Sequence, residues 1–228
     1  MSEDLDGWWV DARALRRAAL RGGLLGAPLV LLALGYGPGP GLSAAASVGA
    51  LHGLAALVEE LAGRRRPGLG RDLSAFLLVW LLAGASVPAG GAQFLWAQTR
   101  SVSEAMLGPH MPPLAWLGLA VGGPFGVAAV VRAGERRRSQ EAGEPAEWAA
   151  GERATWWYVI TGLGAGLLAG AVVASRTLLI GPAAPAALGG LLIALGAFAA
   201  WMVVSPLLVQ LLAGLDAVEA HVFPSRPA

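Results

Sequence analysis

Between Arg21 and Glu59 the chain carries no charged side chain, and the same silence returns over Leu73–Thr99, Ala105–Val131, Ala154–Ser175 and Thr177–Leu215. A helix crosses ~30 Å of hydrocarbon with ~20 apolar residues, and it satisfies its own backbone polar groups, which a bilayer cannot do. Silent stretches of this length therefore point to helices in lipid. Composition agrees: 14% of residues are charged, against roughly 25% in a soluble domain. So few charges cannot clothe a globule in water, and the lipid bilayer is the first expected partner.

Prolines and glycines divide the silence further. Gly37-Pro38-Gly39-Pro40-Gly41 cannot continue a helix, so the first stretch reads as two spans, Arg17–Tyr36 and Leu42–Ala62, joined by a tight turn. The next three stretches supply one span each. In the last, Gly181-Pro182-Ala183-Ala184-Pro185 delays the helix to about Ala186. The expected fold is all-α, a polytopic membrane protein with about six transmembrane helices. It divides into a cytoplasmic or interfacial N-terminal helix (1–21), a six-span domain (22–215, with cytoplasmic loops 63–72 and 132–153) and a cytoplasmic tail (216–228).

Arginine tests this topology independently. The chain has no lysine, and fourteen of its 16 arginines fall in the segments expected inside, leaving only Arg100 and Arg176 outside. The positive-inside rule predicts that bias and places both termini in the cytoplasm. Trp156, Trp157 and Tyr158 stand where the fifth span enters the bilayer, and Trp96 and Trp116 bracket an outer loop, as interfacial aromatics do. The N-terminus, acidic at Glu3, Asp4 and Asp6, is unlike a cleavable signal. Trp8, Ala12, Leu15 and Ala19 share one helical face, away from Arg13, Arg16 and Arg17, so residues 1–21 read as an amphipathic interfacial helix. A disordered charged leader is the alternative.

Small residues recur four apart at Gly22/Gly26, Gly49/Gly53, Gly118/Gly122/Gly126 and Gly162/Gly166/Gly170. Spans in lipid pack by close backbone approach along such stripes. The last triplet is the candidate helix-packing face, for a neighbouring span, a protein partner or a second copy. Pro88, Pro124 and Pro206 lie inside spans and predict kinks. Pro88-Ala89-Gly90-Gly91 could break the third span into half-helices of the kind that line transporter sites, or merely bend it. Loop 63–72 is basic and suits lipid headgroups. Loop 132–153, with Pro145 and Trp148, is long enough to dock a cytoplasmic ATPase, or serves as a solvated connector.

His52 should lie near mid-bilayer, seven residues before Glu59 and on the same face. A charge at a helix centre costs roughly 2.5–3.5 kcal/mol, so such groups face the bundle interior. A His52–Glu59 pair could relay protons or hold a polar ligand; alternatively, one hydrogen bond would satisfy a neutral imidazole. Gln93, Gln98 and Gln210 can bond across helices, and Gln93 joins His52 and Glu59 as the candidate intramembrane polar site. Glu59 and Glu60 lie within a turn of Arg64, Arg65 and Arg66, which predicts an ion cluster closing the inner end of the second span. Arg176, at the outer end of the fifth span, is a candidate anion or lipid contact. Asp216, Glu219 and His221 are close in sequence, but their terminal position argues against a metal site.

Several function classes are excluded or disfavoured. Without cysteine there is no disulfide, thiolate metal site or cysteine nucleophile, and without lysine no Schiff-base cofactor. No cofactor or metal is expected. A net charge of +1 argues against nucleic acid, and no motif for a serine or zinc hydrolase, a phosphate loop or a dinucleotide fold occurs. The chain is not expected to be an enzyme. It reads first as a transporter permease component working with a separate energising subunit. The alternatives are a non-catalytic scaffold in a larger membrane complex and a proton- or ion-coupled carrier using His52 and Glu59. Span count and internal termini, and nothing else in the chain, resemble the membrane halves of ABC-2-type exporters. Arginine in place of lysine, with abundant alanine and glycine, suggests a GC-rich genome and hence a bacterial inner membrane.

Overall fold

The structure is a computed structural model that describes residues 12–31, 33–64, 68–142, 157–171 and 183–222. Among them every element is helical: α1 (Ala12–Leu31), α2 (Ala33–Tyr36), α3 (Pro38–Gly63), α4 (Leu69–Thr99), α5 (Val102–Leu107), α6 (Met111–Ala142), α7 (Trp157–Ala171) and α8 (Ala183–Val222). Among the described residues four stretches are long and apolar enough to cross a membrane: Pro38–Gly63, Leu69–Thr99, Pro113–Gly134 and Ala187–Leu215. α7 is apolar but shorter, and the arginines in the first half of α1 keep it from that class. The outer surface is what lipid requires. Leu34 is 91% exposed, Leu107 86% and Leu167 68%, a density of bare apolar side chains that soluble monomers do not tolerate.

The turn expected around Gly37 is tighter than the sequence implied. Gly37 alone leaves the helix, at φ 91°, a region that favours glycine. Pro38 and Pro40 then sit in the first turn of α3, where a missing N–H is no loss. The silent run Ala105–Val131 is not one span: α5 ends at Leu107, Gly108–His110 turn, and α6 restarts at Met111. Pro109 disfavours a helical conformation at Gly108, and Pro112 and Pro113 suit the opening of the new helix. α6 then continues to Ala142, so the first half of the expected loop 132–153 is helix; Pro145 and Trp148 lie outside the described residues. α1 passes through Arg21 without interruption, where the N-terminal helix was expected to end. Trp8 is also outside the described residues. α8 begins at Ala183 rather than Ala186, with Pro185 in its first turn.

Pro88 does not split α4, which is helical from Leu69 to Thr99. The residue four before it, whose carbonyl loses its helical partner, is Gly84. Gly118 of α6 packs directly on that carbonyl and against the Pro88 ring. Pro124 and Pro206 likewise lie within continuous helices.

Three antiparallel pairs make up the bundle, α1 with α3, α4 with α6 and α7 with α8, and glycines set each close approach. Gly22 lies on Gly49, and Gly26 on Ala45 and Gly49. A Cβ at Gly122 would collide with the Trp80 carbonyl and stand 2.7 Å from the Gly84 Cα. Gly166 and Gly170 meet the carbonyls of Ala194 and Gly190, and Gly162 meets Phe198 and Trp201. α6 is the hub: 61% of its apolar stretch is buried, against 11% in α8. One core cluster joins Ala55, Val79, Ala83, Phe125, Ala128, Ala129 and Leu212. A second, around Phe76, Val127, Val130, Val131 and Trp201, seats the α7–α8 pair.

Candidate functional site

At the arginine-rich end of the bundle, α1, α3 and α6 converge on two carboxylates. Glu59 and Glu60 stand in the last turns of α3, where the helix brings both to the junction. Arg21 of α1 donates from Nη1 to Glu59 Oε2 at 2.7 Å, and Arg132 of α6 approaches Glu59 Oε1 at 3.1 Å. Each Glu59 oxygen thus faces a guanidinium from a different helix. The group is sealed: the side chains of Glu59, Arg21 and Arg132 are 2%, 5% and 6% exposed. Glu60 forms the outer arm, accepting from Arg17 Nη1 at 2.5 Å and from Arg64 Nη2 at 3.5 Å, where Arg64 is 27% exposed.

Phe125 caps the inner side of this cluster. The Arg21 guanidinium carbon lies 5.3 Å from its ring centroid, and the His52 ring also packs against Phe125, with ring centroids 4.8 Å apart. His52 is buried in α3 and meets Ser86 of α4, with Nε2 3.2 Å from Oγ. The Ser86 hydroxyl donates its one proton to the Ala83 carbonyl at 2.6 Å. Its oxygen must therefore accept from His52, which fixes the imidazole as the Nε2–H tautomer. Nδ1 is left as a bare acceptor, buried and without a partner.

This geometry revises the sequence expectation. His52 and Glu59 share a face of α3, but no hydrogen bond joins them: His52 bonds to Ser86, and Glu59 to two arginines. Gln93 is half-buried in α4, two turns beyond Ser86, and makes no hydrogen bond to His52 or Glu59. The three do not assemble into one polar site. The ion cluster draws on α1 and α6 and not only on the arginines following Glu60; Arg65 and Arg66 lie outside the described residues. So does Arg176. The Gly162, Gly166 and Gly170 face is occupied within the chain by α8. Among the described residues no three His, Asp or Glu side chains come together as a metal site.

Five members of the site, Arg17, Arg21, Ser86, Phe125 and Arg132, were not singled out from sequence. A signal existed for Arg21 and Arg132. Arg21 falls on the helical face of Ala14, Ala18 and Gly22, all buried, and Arg132 on that of Phe125 and Ala128. No family model, curated protein or solved structure matches the chain.

Proposed function

We propose that the chain is the membrane-embedded component of a transport system, a permease subunit that works with a separate energising subunit. In this reading it crosses a bacterial inner membrane six times, α1 and α7 completing the count, with both termini and the arginine-rich end in the cytoplasm. The observation that carries the reading is the buried cluster Arg21–Glu59–Arg132. A buried ion group of this kind is seldom more stable than an apolar junction of the same volume. Its use is to hold three helices in one arrangement that can be exchanged for another when a partner pushes on the cytoplasmic end. α6 carries Arg132 and runs on to Ala142, so force applied to the loop that follows reaches the cluster along one rigid helix.

The test is purification from the native host in mild detergent through a C-terminal tag. The expected result is a stoichiometric nucleotide-hydrolysing subunit whose ATPase activity falls when residues 143–153 are replaced by a glycine–serine linker. A chain that purifies alone and without hydrolytic activity in repeated preparations refutes the permease assignment. One observation favours the scaffold alternative: helix meets helix through glycine against backbone along all three pairs, which suits a static core. A carrier built on a His52–Glu59 relay is the weakest of the three, since those residues bond to other partners.

A further inference from the structure

On the outside of the bundle, α1 and α3 enclose an open groove of about 710 Å³. Its floor is glycine, from Gly22, Gly26, Gly49 and Gly53, and its walls include Leu15 and Leu57. In-chain packing accounts for those floor glycines, because each lies against backbone of the facing helix. It does not account for Gly23, which also lines the groove and where an added Cβ would meet nothing within 4 Å. On α1 the lining runs from Leu15 to Ala27, about 18 Å at ~1.5 Å per residue. Half of a ~30 Å hydrocarbon core is about 15 Å. The groove thus has the length of one leaflet.

Its two mouths differ in charge. At the end beside the ion cluster, Arg16 stands one turn before groove-lining Ala19, and Arg64 two turns beyond groove-lining Leu57, on the same helical faces. Glu60 lies between the helices there, joined to Arg17 and Arg64. Arg16, Arg17 and Arg64 thus gather at that mouth, where excess arginine suits an anionic headgroup. Towards the opposite mouth, past Ala27 and Ala45, no charge occurs in either helix. The complementary molecule is apolar along its length and anionic at one end.

We propose that this groove binds one acyl chain of an anionic phospholipid from the leaflet at the arginine-rich end, with its phosphate held at Arg16 and Arg64. Both arginines also bond within the chain, and it is their charge that the headgroup meets. A transmembrane helix, from a partner or a second copy, would fill the small-residue floor equally well but would have no use for a positive charge at one mouth. The site stands independently of the permease assignment.

The test is native mass spectrometry of the full chain, delipidated in detergent and titrated with phosphatidylglycerol or phosphatidylcholine of the same acyl composition. Wild type should retain one phosphatidylglycerol with at least about tenfold preference, a difference of ~1.4 kcal/mol. Gly23→Leu adds a side chain to the groove lining at a position where its Cβ meets no atom within 4 Å, and it should lose both lipids while keeping the wild-type melting temperature. Arg16→Gln with Arg64→Gln should keep weak binding but lose the preference. Equal retention of the two lipids by wild type, or undiminished phosphatidylglycerol on Gly23→Leu, would overturn the site. So would efficient disulfide formation between two copies through Ala27→Cys in a chain otherwise free of cysteine, since that puts a helix in the groove.

Discussion

Replacing Glu59 by glutamine keeps the shape of the side chain and removes one negative charge from between two guanidiniums, 2.7 Å from Arg21 and 3.1 Å from Arg132. All three side chains are nearly sealed from the surroundings, so neither solvent nor salt can supply the missing charge. Deleting one partner of a buried ion pair costs roughly 3–5 kcal/mol, because the other charge is left uncompensated. Here two buried guanidiniums lose the same carboxylate at once, which places Glu59→Gln at the upper end. Against a total stability of roughly 5–15 kcal/mol, that is a third or more. The outer arm provides the contrast: Arg64→Gln breaks a 3.5 Å pair with a partly exposed arginine, and such pairs are worth about 0–1 kcal/mol.

The assay is reversible unfolding in mixed micelles by a rising fraction of dodecyl sulfate, followed by fluorescence of the nine tryptophans. Glu59→Gln should move the midpoint strongly and Arg64→Gln barely. Replacing Arg21, Glu59 and Arg132 together by methionine should recover most of the loss, as apolar substitutes for buried ion groups usually do. A Glu59→Gln loss below about 1 kcal/mol would mean the cluster behaves as a solvated pair, and burial would then be the wrong basis for it. A triple variant as unstable as Glu59→Gln would show that shape, not charge, sets the penalty.

Three further outcomes are expected. Gly122→Leu should prevent stable folding, because its side chain would enter the α4 backbone at Trp80 and Gly84, whereas Gly196→Ala, in open space, should hold or raise the midpoint by up to about 1 kcal/mol; equal damage from both would refute glycine-set packing. Solid-state ¹⁵N spectra of histidine-labelled protein with His110 and His221 replaced by asparagine should show His52 protonated at Nε2 and bare at Nδ1, and Ser86→Ala should shift the Nε2 signal; a proton on Nδ1 would contradict the hydrogen-bond direction. Single cysteines at Ser2 and Ser225 should react with impermeant maleimide only after the cells are opened; labelling of just one in intact cells would place the termini on opposite faces and remove an even span count.

What the sequence hid follows from the solvent. In water, large apolar side chains mark the inside of a helix; in lipid they mark nothing, because both sides of the helix are apolar. The face chosen for the N-terminal segment, through Ala12, Leu15 and Ala19, is exposed, while Ala14, Ala18, Gly22 and Gly26 are buried against α3. Charge silence located the apolar helices but was blind to the turn at Gly108–His110, which holds no Asp, Glu, Lys or Arg. Glycine at positive φ announced the turn at Gly37, since few other residues fit there. Proline at 88 was the opposite case: it could break the helix or bend it, and α4 continues through it, with Gly118 packed where the Pro88 ring and the Gly84 carbonyl lie. Arg21 and Arg132 were legible as markers of one membrane side, yet their pairing with Glu59 spans 38 residues in the first case, beyond any local period. The rule that would have found them is specific to this solvent: where smallness, not hydrophobicity, marks the packed face, a charge falling on that face has been placed there to meet another. Arg21 lies on the stripe of Ala14, Ala18 and Gly22, and Glu59 on that of His52 and Ala55. Opposite charges on the packed faces of neighbouring spans, at the same end, leave each other as the nearest partner.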